Sequence, residues 1–163
     1  MLIQEKIGHI GSFEMGTRRT DVLAVEWYET GKRILRKATR DGVDVALRFF
    51  KEGVSLVEGD VLYADEGVVI VVEILPCEAL VIPMVSMAEV AAVCYETGNR
   101  HLPLYHEEEE LLAPFDAPLY RWLEGGGYVV KREMRKLLYP LRTTVAGHMH
   151  AGGGLLSKIL SRV

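Results

Sequence analysis

From Ala79 to Arg132 the hydrophobic period switches repeatedly between that of a strand and that of a helix, and few folds accept the order in which it does so. Ala79–Ile82 is a short apolar run closed by Pro83. Ser86-Met87-Ala88-Glu89 has the form of a capping box, in which the serine oxygen accepts from the third helical N–H and the glutamate reaches back. The helix this predicts runs Met87–Thr97, with Val90, Ala91, Cys94 and Thr97 on related faces and Gly98 as its left-handed stop. His101–His106 reads as the next strand, and Leu111–Pro114 as its partner across the acidic turn Glu107–Glu110. Asp116 then caps a second helix, Ala117–Glu124, with Pro118 in the first turn where its missing N–H is harmless. Gly125-Gly126-Gly127 ends that helix, and Tyr128–Arg132 begins the last strand. The order is βαββαβ, which implies the ferredoxin-like arrangement of two helices on one face of a four-stranded antiparallel sheet. The opposite face is then expected to stand open, and an open apolar face favours a partner, a first indication of a dimer.

The chain before Pro76 has a different texture. Val22–Trp27 is a compact apolar run, and Arg33–Arg40 is a mixed strand followed by the Asp41-Gly42 hairpin signal. Val43, Val45, Leu47 and Phe49 alternate with Asp44, Ala46 and Arg48, the period of a strand with one buried face. Gly59-Asp60 precedes Val61-Leu62-Tyr63, and Asp65-Glu66-Gly67 turns into Val68–Leu75, whose unbroken valine and isoleucine run implies burial on both faces. Strands this short and regularly spaced predict a small all-β sandwich or half-open barrel. The fold class is therefore α+β. Its expected divisions are a β-rich domain over 1–76, a ferredoxin-like domain over 77–140, and a tail over 141–163.

Composition narrows the function classes. A formal charge of -4 with pI near 5.8 gives no basic surface of the kind nucleic acids require. The first ten residues carry Glu5 and Lys6 and lack a continuous apolar stretch, so they do not read as a signal peptide. No apolar run approaches the ~20 residues of a membrane span. Cys77 and Cys94 are too few for a disulfide framework, and a cytoplasmic protein is expected.

Three places carry imidazoles that merit attention. His101 lies at the join of a predicted helix and strand, either as a hydrogen-bonded turn residue or as a metal ligand. His106 is of opposite strand parity, so the two are not expected to share an ion within one chain. His148 and His150 form an HxH pair beside the glycine run Gly152-Gly153-Gly154; neutral imidazole suits nickel, copper and zinc, and a polar tail is the plainer alternative. His9 reads as structural, the two cysteines as buried thiols, and Glu107–Glu110 as a solvated turn. Leu155, Leu156, Ile159, Leu160 and Val163 share one helical stripe, consistent with a short amphipathic helix or a frayed end.

The string Gly98-Asn99-Arg100-His101-Leu102-Pro103-Leu104, preceded by Tyr95 and followed by Asp116 at a helix start, resembles the UreE family of urease accessory metallochaperones. The likeness is looser over the rest of the chain, including Gly59-Asp60-Val61-Leu62. The resemblance implies an N-terminal β domain that docks partners and a ferredoxin-like metal domain. It also implies a homodimer in which two copies of His101 face each other across the two-fold axis and bind nickel, with zinc or copper as substitutes in vitro. His148 and His150 would complete the coordination. The implied partners are the urease accessory GTPase UreG and the urease apoprotein complex, with no nucleic acid and no membrane. The chain departs from its relatives at Ala117, where a histidine often follows the aspartate, and in a tail with only two histidines.

Two other functions compete at this level. A protein-binding adaptor would carry these histidines incidentally. An acylphosphatase-like hydrolase would need a glycine-rich anion loop with an arginine before the first helix, and Val81-Ile82-Pro83-Met84-Val85 offers neither.

Overall fold

A computed structural model describes residues 1–51 and 53–141. The tail histidines His148 and His150 and the stripe from Leu155 to Val163 lie outside the described residues.

Seven strands build the N-terminal part: β1 (Leu2–Ile3), β2 (Gly8–His9), β3 (Arg19–Val25), β4 (Ile34–Ala38), β5 (Asp44–Arg48), β6 (Asp60–Ala64) and β7 (Val68–Ile74). They form a three-stranded sheet in the order β1-β5-β4 and a four-stranded sheet in the order β2-β6-β7-β3. The alternation from Val45 to Phe49 points inward as expected, and with Ile3 and Leu35 it meets Leu23, Val25, Ile70, Val72 and Ile74 of the facing sheet. The continuous run in β7 is buried on both sides, since Val69 and Val71 pack beneath Ile10, Phe13 and Met15. This is a sandwich with two parallel pairings, β1 with β5 and β3 with β7. Neither was legible from hairpin signals, because parallel partners are distant in sequence and leave no turn between them.

Trp27 does not extend β3. The strand stops at Val25, and Trp27–Glu29 forms a 3-10 turn in which the Glu26 N–H donates to Glu29 Oε2 at 3.0 Å.

The C-terminal part contains β8 (Cys77–Pro83), α1 (Met87–Asn99), β9 (Tyr105–Glu107), β10 (Glu110–Pro114), α2 (Ala117–Gly125) and β11 (Lys131–Arg135). The sheet order β11-β8-β10-β9, antiparallel throughout, is the ferredoxin-like one. Leu80, Ile82, Leu111 and Ala113 face the helices and contact Val93, Leu119 and Leu123.

Three expectations need correction. The other face of this sheet is not open: Ala79, Val81 and Leu112 are buried under Trp27 and Leu137 of the same chain. An apolar sheet face is thus covered from within, and that indication of a dimer falls away. The last strand is Lys131–Arg135 rather than Tyr128–Arg132, because the Tyr128 N–H caps α2 on Leu123 O at 3.0 Å and its ring stacks on Trp122 at 5.1 Å. Ala91 is exposed, while Val93 and Thr97 form the buried face of α1.

Candidate metal centre

Helix α1 begins at the expected cap, and of the expected capping box the serine half is seen, Ser86 Oγ accepting from the Glu89 N–H at 3.2 Å. Its end differs from expectation. The helix passes through Gly98 to Asn99, Arg100 is the cap, and His101 adopts the left-handed conformation at φ 55. The His101 N–H donates to Gly98 O at 3.0 Å and the Leu102 N–H donates to Thr97 O at 3.1 Å. These two bonds define a Schellman motif with His101 in the position glycine usually takes. A side chain there costs roughly 1–2 kcal/mol. His101 therefore does not open a strand; β9 starts at Tyr105, four residues later.

The turn is held from both sides. Thr97 is 1% exposed, and its Oγ1–H donates to Val93 O at 2.7 Å. Leu102 packs against the helix-side core and Leu104 is buried. The Arg100 guanidinium bonds Glu96 Oε1 through Nε at 2.7 Å, so the cation next to His101 is already matched by a carboxylate. His101 itself is exposed. A rigid backbone thus presents one imidazole outward. Beside it, α1 exposes Met87 (83%), Ala91 and Tyr95 (73%), spaced one turn apart, with Val85 exposed just before the helix.

Other candidate ligands are spoken for. His9 Nε2 lies 2.9 Å from Glu58 O, and the Gly11 N–H donates to His9 Nδ1, so both ring nitrogens are engaged and the structural reading stands. Cys94 is half-buried against the helix-side core, and burial raises its thiol pKa. Cys77 is raised by burial and by Glu26 nearby. Neither favours the thiolate that ligates metals. Among the described residues, no three His, Cys, Asp or Glu side chains come together as a metal site.

The family models settle what kind of protein carries this turn. That of the UreE urease accessory protein N-terminal domain matches residues 3–75, and that of the C-terminal domain matches residues 78–153. The chain belongs to the UreE family. It is 40% identical over 162 residues to the urease accessory protein UreE of Flavobacterium johnsoniae, covering 99% of this chain and 98% of that one. It is 38% identical to the UreE of Actinobacillus pleuropneumoniae, over 84% of this chain and 74% of the other. With the UreE of Acetivibrio thermocellus it shares 35% over 93% and 98%. Members of the UreE family are accessory proteins rather than enzymes, which closes the hydrolase alternative.

Within this UreE-family chain, the structure separates the histidines. His106 lies on β9, exposed, with its ring 6.4 Å from that of Tyr139, and among the described residues it forms no group of three metal-binding side chains with His101. Ala117 is exposed at the first position of α2, behind Asp116, whose Oδ1 accepts from the Leu119 N–H at 2.7 Å. The left-handed geometry of His101 escaped sequence reading, although a signal was present. An apolar residue followed by proline, Leu102-Pro103, marks the position after the cap, and counting back from it selects His101 rather than Gly98. Among the described residues, no helix is long and apolar enough to cross a membrane.

Proposed function

We propose that the chain is a nickel-carrying accessory protein of urease maturation, a homodimer in which two copies of His101 bind one ion. The observation that carries this is the imidazole held at φ 55 on a glycine position, exposed, at the end of an apolar helix face. Strain retained where glycine would relieve it points to use of the side chain. One imidazole is a poor site, and an isologous interface presents it twice. The exposed stripe Met87, Ala91 and Tyr95 runs to the same turn, and packing it against its own copy would bring the two His101 residues together.

His148 and His150 serve as additional ligands, weaker in effect than His101. The chain acts in the cytoplasm and hands its ion on to the urease apoprotein complex together with the GTPase UreG, the β-rich part over 1–76 supplying a docking surface. The urease accessory role of the family and of its named relatives supports the partners. Nickel is the cargo; zinc or copper compete for the same nitrogen ligands in vitro.

Equilibrium dialysis against nickel, combined with mass in solution, tests both parts. One ion per dimer is expected, lost on His101→Ala; an unchanged stoichiometry and affinity in that variant would sink the assignment. A dimer without measurable metal affinity would favour the adaptor reading.

A further inference from the structure

The join between the two parts of the chain is short. β7 ends at Ile74 and β8 begins at Cys77, leaving Leu75 and Pro76 as the whole connection. Leu75 is itself tied down, its N–H donating to Val25 O at 2.8 Å just past the β3–β7 ladder. The ring of Pro76 fixes its own φ. Two parts joined by one such link still move relative to each other by default, unless an apolar interface prevents it.

Here each part sends a side chain into the apolar packing of the other. Trp27, in the turn after β3, packs over the back of the C-terminal sheet with Ala79, Val81 and Leu112. Leu138 makes the opposite crossing. It follows β11, yet it packs against the core between the two N-terminal sheets, while Leu137 beside it is 2% exposed on the C-terminal sheet. The segment that carries these two leucines is pinned at both ends. β11 precedes it, and beyond it the chain runs along the outer edge of β9. There the His106 N–H donates to Tyr139 O at 3.0 Å and the Leu141 N–H donates to Leu104 O at 2.8 Å. Lys136 Nζ meanwhile reaches Glu58 at 2.8 Å and Glu73 at 3.5 Å, both in the N-terminal part. Glu58 is held in turn, its Oε2 accepting from the Ile74 N–H at 2.7 Å. Ion pairs this exposed contribute little energy, so the apolar side chains hold the contact and Lys136 fixes where they dock.

We propose that Trp27, Lys136 and Leu138 form a reciprocal clamp that makes the two parts one rigid body, with no working hinge at Leu75-Pro76. Rotation about that link would have to draw Leu138 out of one core and Trp27 off the other sheet together. The consequence rests on the function proposed above. A partner docked on 1–76 meets the His101 turn at one fixed distance and orientation, so docking alone positions the cargo.

Residual dipolar couplings of the backbone amides, measured on the metal-free full chain, test the clamp. Couplings from the β-rich part and from 77–135 should fit one common alignment tensor. Trp27→Ala/Leu138→Ala strips both sides of the clamp. Each part should then still fit a tensor of its own, which shows that it is folded, while the common fit is lost. Leu138→Ala alone, at a half-buried residue, should already separate the two tensors. Separate tensors in the unaltered chain, or a common tensor retained in these variants, would overturn the clamp. The couplings need no metal, so a chain that fails to bind nickel would overturn the delivery reading and leave the clamp standing.

Discussion

The two helices of the ferredoxin-like part end in the same motif with different residues at its centre. In α2, the Gly127 N–H donates to Glu124 O, the Tyr128 N–H donates to Leu123 O, and Gly127 has φ 77. In α1 the equivalent donors are His101 and Leu102, and His101 has φ 55. Both motifs are followed by a side chain that returns to the core, Tyr128 in one and Leu102 in the other. Backbone demands are therefore met equally at both ends. The difference is one side chain, tolerated in α1 at a cost that glycine avoids in α2. A left-handed backbone is a requirement of the turn; a histidine on it is a requirement of something else.

The sharpest way to break this comparison is to make the two ends alike. His101→Gly should lower nickel affinity by more than about 100-fold, because even outer partners of metal ligands cost 10–100-fold. It should also raise stability to denaturant by about 0.5–1 kcal/mol, as strain is relieved and part of the gain is returned as unfolded-chain entropy. A destabilised variant in urea titration would mean that His101 supports the fold and that the strain argument fails.

The reciprocal change is Gly127→His. The position has open space around it, so the cost is conformational, about 1 kcal/mol in the same titration. Nickel stoichiometry should not rise, since among the described residues no group of three metal-binding side chains awaits a further imidazole there. An extra bound ion per chain would show that residue type alone, without the setting of α1, makes the site.

The smallest expected effect is at Gly98. Inside α1, with nothing near its missing side chain, Gly98→Ala should stabilise by about 0.5–1 kcal/mol. Had Gly98 been the left-handed stop, alanine would cost stability instead; the sign of the change in midpoint decides.

Local signals made much of this legible. Ser86 and Asp116 at the helix starts, the alternation from Val45 to Phe49 and the unbroken β7 run each act within a few residues, and each holds in the structure. The left-handed position after α1 was missed by three residues because glycine is its usual occupant, and only the hydrogen bonds to Thr97 and Gly98 show which residue takes it. For the site, the sequence singled out His101 and set His9 aside. The pairing of His9 with Glu58 and Gly11 depends on strands far apart in the chain.

By itself, then, the sequence determined the element order βαββαβ behind a β-rich part, and the family string that ends in His101. Spacing and periodicity are properties of neighbours, and neighbours suffice for them. Only the tertiary structure decided the parallel strand pairs, the burial of the sheet's back face under Trp27 and Leu137, and the crossing of Lys136–Leu141 to the edge of β9. Those contacts join residues separated by tens of positions, where no local pattern selects one partner over another, and the choice is made by which apolar surfaces can be buried together.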